Sequence, residues 1–330
     1  MKALAAILFL IAAAVIILPQ APTSEVLDTE EIEVVKEVDP APSEEEHMES
    51  WRRAFRYLKK DDRFEVSVQT PASSKIPPAM SKPLSPDAPM LAIVVDDCGG
   101  NLTMAEELLD LELPLTLAII PHLRYSESTA ALAALRGVPY LVHVPMQALG
   151  DPDGMAGKGR LYAIGVGMNE NTIKEALFQQ IDAYPDAFGI NNHRGSRATS
   201  DARTMGVVME ALKGRSLVFL DSNTTPKTVA YRTAQEAGLR TTKNEYFLDN
   251  QSDRAYVASR VLVAAAGAAK RGRAVAICHL RPETLAYLKT ASSAAIEREH
   301  GVRLVTLPEY MEYLERSKGD DDCDDGDKKN

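Results

Sequence analysis

Several short apolar runs in this 330-residue chain end on side chains able to do chemistry. LAIVVDDCGG, Leu91 to Gly100, closes on two adjacent carboxylates, Asp96 and Asp97. His143 lies in LVHVPMQ, and GINNHRGS carries Asn191, Asn192, His193 and Arg194. Asp221 and Ser222 follow VFL, and His279 follows AIC. Two carboxylates side by side after an apolar run are costly to bury unless something compensates the charge. One aspartate with two histidines is a common ligand set for zinc or a similar divalent ion, with one position left open to water. The second aspartate could then take a proton from water as a general base, and a histidine could donate one to a leaving group near neutral pH.

Each residue also has a plainer role. A carboxylate before NLTMAEELL could cap that helix, where backbone N–H groups are free. A lone histidine at a strand end is often simply hydrogen-bonded in place. Asn192 could orient His193, contact a sugar, or sit in the turn before Gly195. Arg194 could bind an anionic substrate group or face solvent, and Asp221 could hold a histidine tautomer from behind a metal site. Ser222 lacks the GxSxG surroundings of an activated nucleophile and is read instead as a substrate-contacting or supporting residue.

The elements that must position these residues alternate regularly between Met90 and about Glu315. Strand-like runs begin at Leu91, Leu115, Tyr140, Ala187, Ser216, Thr242, Ala274 and Arg303. Helical patterns such as ENTIKEALFQQIDAY and DARTMGVVMEALKG separate them, several closing on Gly as helix stops do. This alternation predicts a parallel sheet with crossover helices, either a (β/α) barrel or an open doubly wound sheet. In both, the carboxyl ends of the strands open onto one face where ligands bind, so the polar residues above should meet there.

Composition bounds the rest. An apolar content of 45% supports a sizeable core, and a net charge of −10 argues against nucleic acid, which calls for a concentrated basic face. Cys98, Cys278 and Cys323 show no CxxC spacing, so neither a zinc finger nor a thioredoxin-like pair is supported. Cys98 and Cys278 flank candidate site residues, which raises a disulfide across the mouth, competition of one thiol for a metal, or two unrelated buried thiols. Ala3 to Leu18 is an unbroken apolar run after Met1 and Lys2, read over 1–19 as an uncleaved membrane anchor or an export signal. With the positive charge before it and acidic sequence after it, the remainder is expected outside the cytoplasm, on the periplasmic side. Residues 20–88 read as an acidic, Pro-rich disordered tether with a possible short element at 51–68, and 317–330 as an acidic disordered tail.

At its polar strand ends the chain resembles the divergent polysaccharide deacetylase family, distant relatives of the carbohydrate esterases that remove N- or O-acetyl groups from chitin-like and peptidoglycan chains. The likeness runs from about Pro89 to Glu315 through IVVDDCG, LTLAIIPH, LVHVPMQ, GKGRL, GINNHRGS, VFLDSNT, FLDN and ICHLRPETL, in order and spacing. It implies an irregular (β/α) barrel of about seven strands over 89–316. It further implies a divalent metal, zinc or similar, held by Asp97, His143 and His193, with Asp96 as base and His279 as acid. The implied activity is hydrolysis of the amide or ester bonds of an acetylated envelope glycan such as peptidoglycan; a glycan- or partner-binding protein that keeps the barrel is the alternative. The chain departs from the family pattern at Arg194, where methionine is usual, at Cys278 and Leu280 around His279, and at Gln147, where glutamate is frequent.

Overall fold

Among the described residues nine parallel strands, β1 (Met90–Cys98), β2 (Leu115–Ile119), β3 (Tyr140–Met146), β4 (Gly189–Arg194), β5 (Val218–Asp221), β6 (Thr241–Lys243), β7 (Tyr246–Phe247), β8 (Arg273–His279) and β9 (Arg303–Val305), form one sheet. The computed structural model describes Ser85 and residues 88–154, 162–291 and 293–324. The N-terminal apolar run, the segment 51–68, the GKGRL motif and the end of the tail after Asp324 lie outside the described residues. Among the described residues no helix is long and apolar enough to cross a membrane.

The strand order is β6-β5-β4-β3-β2-β1-β8-β7. Its two ends are a single piece of chain: only Asn244 and Glu245 separate β6 from β7. Asn244 N–H donates to Asp221 O at 2.8 Å and Glu245 N–H to Val275 O at 3.0 Å, so this segment turns from β5 to β8 and closes the curl. The run expected as one strand from Thr242 is therefore two short strands with a kink. Neighbours follow chain order without a reversal, which removes the open doubly wound sheet with its switch point and leaves an irregular barrel. β9 pairs with β1 only at Met90 to Ala92, and β2 takes over that edge from Ile93 onward.

Alternation along the strands sorts side chains into two layers. Met90, Ala92 and Val94 of β1, Leu141 of β3, Val218 and Leu220 of β5, and Val275 and Ile277 of β8 pack together as an inner layer. Leu91, Ile93, Val95, Ile190, Phe219, Ala274 and Ala276 pack on the other side, with the apolar faces of the helices. The last helix plugs the barrel: Leu307, Tyr310 and Met311 join the inner layer, and Leu307 N–H donates to Thr116 Oγ1 at 2.9 Å. That helix runs Leu307–Asp324, so the boundary expected at 316 falls inside it. Once a buried first turn anchors a helix, each further residue adds a backbone bond at little cost.

The helices are capped where the sequence offers Asn or Asp. Asn101 accepts from Met104 N–H at 3.1 Å at the start of α1 (Leu102–Leu109), and Asn169, Asp201 and Asp253 cap α3 (Glu170–Ile181), α4 (Ala202–Leu212) and α6 (Arg254–Arg271) in the same way. Capping by Asn101 leaves Asp96 and Asp97 free of that duty.

β4 and β5 approach closely at Gly189, where an added Cβ would stand 2.2 Å from the Val218 carbonyl oxygen. Backbone on both sides cannot shift without disturbing the ladder, so Gly189→Ala is expected to destabilise the fold by about 2–3 kcal/mol. Thermal or urea unfolding measures this directly. A midpoint equal to wild type would mean that the strands can separate there.

Candidate metal and acid–base site

Counting upward in twos from the inner layer leads to the mouth. Val94 is followed by Asp96, Leu141 by His143, Leu220 by Ser222 and Ile277 by His279, and β4 adds Asn191 and His193 on the same face. The parallel register pairs Asp96 with His279 and His143 with Asn191. These groups converge because the inner rows of several strands end together.

Asp97 has the wrong parity for that face and reaches it by a local device. Val95 pairs with Leu117 but Cys98 with Ile119, so β1 spends three residues where β2 spends two. This is a bulge, and Asp97 within it has φ of 62°. Asp is among the few residues that tolerate this left-handed conformation. The bulge resets the alternation: Asp96 and Asp97 both serve the mouth, while Cys98 returns to the helix-facing layer.

Asp97 Oδ1 lies 3.0 Å from His193 Nδ1 and 3.4 Å from His143 Nε2. One donor atom from each of these three residues fits within a mutual 4.8 Å. Asp97 Oδ1 is nevertheless buried without a hydrogen bond, so the atoms are aimed at a shared point more than at one another. A carboxylate oxygen and two imidazole nitrogens converging in this way suit a borderline divalent cation such as zinc. Burial works against the Asp97 charge, but His143 and His193 outweigh it and hold the carboxyl far below the usual range. Burial also disfavours charge on His143, where Asp96 and Asp97 prevail and raise its pKa. His193 is lowered, by burial first and with the neighbouring His143 adding to it.

Asp96 is almost fully buried, and this pushes its carboxyl above the ordinary value against the pull of His143, His279 and Asn191. Its Oδ2 stands 3.4 Å from His143 Nε2, and its Oδ1 accepts from Asn191 Nδ2 at 2.9 Å. Across the β1–β8 pair, His279 Nδ1 meets Asp249 Oδ1 at 2.8 Å, and the His279 N–H donates to Asp249 Oδ2 at 2.7 Å. Thr284 Oγ1 also donates to Asp249 Oδ2, and the Phe247 ring lies parallel to the imidazole at 6.3 Å. Burial alone would lower the His279 pKa; the Asp249 hydrogen bond and charge raise it instead.

The structure brings together Asp96, Asp97, His143, His193 and His279 and sends other expected participants elsewhere. Asp221 bonds to no histidine among the described residues. It has the outward parity of Phe219, and its carboxylate accepts from Asn223 N–H, Thr228 Oγ1 and Tyr231 N–H, tying down the loop into α5 (Ala230–Glu236). Behind the histidines stand Asn191 and Asp249, to neither of which the sequence reading gave a role. Asp249 is the third residue of the FLDN motif and continues the inward row from Phe247, so counting in twos was the signal that separates it from Asp221.

Asn192 likewise faces away from His193, accepting from Ser222 N–H and donating to the Arg194 carbonyl. Ser222 is buried and accepts from Asn191 Nδ2 at 3.1 Å. Arg194, at φ 56°, is half-exposed on the rim and donates to Asp151 Oδ1 at 2.7 Å. Cys98 and Cys278 are free, buried thiols in the helix-facing layer, so neither a disulfide across the mouth nor competition for a metal is available to them. Burial raises both of their pKa values, which leaves them unreactive.

A curled parallel sheet, crossover helices and acidic and imidazole groups gathered at the carboxyl ends of the strands define a deacetylase-like (β/α) barrel. The chain belongs to the divergent polysaccharide deacetylase family, whose model matches residues 93–311. An uncharacterized protein of Haemophilus influenzae is 35% identical over 199 residues, 60% of this chain and 69% of that protein. The uncharacterized protein YibQ of Escherichia coli is 32% identical over 211 residues, which are 64% of this chain and 64% of YibQ. Among solved structures, an uncharacterized protein of Agrobacterium tumefaciens shares the fold with a TM-score of 0.60 at 20% identity, over 67% of this chain and 88% of that one.

Proposed function

We propose that this chain is an extracytoplasmic, metal-dependent hydrolase that removes acetyl groups from an envelope glycan such as peptidoglycan, tethered to the inner membrane by its N-terminal apolar run. The observation that carries the reading is the convergence of Asp97 Oδ1, His143 Nε2 and His193 Nδ1 beside Asp96 and the His279–Asp249 pair. Family membership supports the substrate class, and the charge order around residues 3–18 supports the location.

Asp97, His143 and His193 would hold the ion, most simply zinc. When bound, such an ion supplies Lewis-acid polarisation of a carbonyl and makes water more acidic. Asp96 then serves as the base: burial has raised its proton affinity, and its Oδ2 faces the point at which the three donors meet. His279 sits beside it in register on the next strand and donates a proton to the departing amine or alcohol. Asp249 favours the protonated form of His279 and fixes its ring, leaving Nε2 as the donating atom. Among the described residues the apolar inner layer and the helix plug fill the barrel beneath these groups.

The test is metal content and acetate release. Purified protein is expected to bind one divalent ion per chain and, when loaded, to release acetate from N-acetylated glycan oligomers. Protein that binds metal yet releases no acetate from N- or O-acetylated glycans would make it a binding protein on the same barrel, and protein that binds no metal would end the proposal.

A further inference from the structure

We propose that Asn191 is a positioning residue that sets the proton of His143 and the orientation of Asp96 together, so that one buried amide assembles the metal ligand and the base. The metal half of this statement rests on the reading above; the proton assignment does not.

The inference begins at Asp96. Asn191 Nδ2 donates to Asp96 Oδ1 at 2.9 Å and to Ser222 Oγ at 3.1 Å, which sets the amide with its nitrogen toward these two groups. The flipped amide would put a carbonyl oxygen against that carboxylate. Once the orientation is fixed, Asn191 Oδ1 faces His143 Nδ1 at 2.8 Å. An amide oxygen cannot donate, so Nδ1 must carry the proton. In the neutral ring Nε2 then has a free lone pair, and Nε2 is the atom 3.4 Å from Asp97 Oδ1. The carboxylate of the base thus dictates, through one amide, which nitrogen of His143 is free to ligate.

Both N–H groups of the amide and its oxygen are engaged. Its oxygen takes the histidine, and its two N–H groups serve Asp96 and Ser222 Oγ at 3.1 Å. Asn191 has no solvent exposure, so no water competes for these bonds. No other residue type does the same work at this reach. An ionised aspartate would accept from His143 but repel Asp96, leucine would do neither, and glutamine is one carbon too long for the 143–191 register pair. Leucine at 191 should therefore weaken metal binding and misplace the base together, whereas aspartate should spare the first and disturb the second.

Nitrogen-15 NMR of the histidine rings tests the proton assignment without a variant. His143 is expected as the Nδ1–H form in the neutral metal-free ring, and as the Nε2-ligated form once zinc is added. Zinc affinity, measured by chelator competition, is expected to fall about 10–100-fold in Asn191→Leu and to stay within about threefold of wild type in Asn191→Asp, which keeps an acceptor for His143. A purely structural role would lower the Tm of both variants without separating their zinc affinities. An Nε2–H form of His143 in the wild type, or full zinc affinity in a folded Asn191→Leu protein, would overturn the proposal. Wild-type protein that binds no zinc would defeat the functional reading, and the ring assignment would still decide the part played by Asn191.

Discussion

Replacing His279 with glutamine is expected to lower kcat/KM for deacetylation by about 10²–10⁴-fold while bound metal stays at the wild-type level. His279 contacts none of the three metal-facing residues, and its ring is held by Asp249 on one side and Phe247 on the other. Loss of the proton donor should therefore act on the chemical step alone. The pH dependence carries the sign. As the proposed acid His279 would act in its protonated form, and its folded-state pKa is raised, because Asp249 together with Asp96 and Asp97 outweighs burial. Activity should thus persist above the ordinary histidine value of about 6.5 and fall as pH rises through the elevated one. Asp249→Asn removes the largest raising contribution, burial is then less opposed, and the alkaline limb should move to lower pH. The same reasoning makes the histidine's contribution to stability present below about pH 6.5 and lost as pH climbs through the raised pKa. An Asp249→Asn limb that stays in place would show that His279 is not the titrating acid.

The second large effect is expected at Asp97. Asp97→Asn keeps the side-chain shape and the tolerance for a positive φ, so the bulge should survive. What it removes is the anionic oxygen that His143 and His193 face at 3.4 and 3.0 Å. Metal affinity is expected to fall by more than about 100-fold, and acetate release with it. In the metal-free protein the two imidazoles lose the charge that now draws protons toward them, so the His143 pKa should drop. Competition with a chelator reads the first effect and histidine NMR the second. Equal metal content in the variant and the wild type would exclude Asp97 as a ligand.

The repeating strands and helices, the grouping of polar residues at the strand ends and the set Asp96, Asp97, His143, His193 and His279 were legible in the chain. They are local patterns: apolar runs of strand length, Gly helix stops, and reactive residues at the point where each run stops. The choice between barrel and open sheet was not local. It depends on whether Asn244 bonds back to β5 while Glu245 bonds to β8, two contacts made with strands from distant parts of the sequence.

The supporting residues show the same division. Asp221 and Asp249 both follow an apolar run and look equivalent as sequence. Only the inward row, fixed by which side chains meet inside the barrel, puts Asp249 against His279 and turns Asp221 toward a loop. Cys98 and Cys278 flank the site in sequence yet face the helices, for the same reason of parity.

By itself the sequence determined the composition of the mouth: two carboxylates, three histidines and the strands that deliver them, because a period of two and a run length are properties of neighbouring residues. The tertiary structure alone decided how they work together. A bulge against β2 turns Asp97 inward beside Asp96, and strand register places the Asn191 amide between His143 and Asp96. Both depend on pairing between strands far apart in the chain, where a shift of one residue would send each side chain to the opposite face.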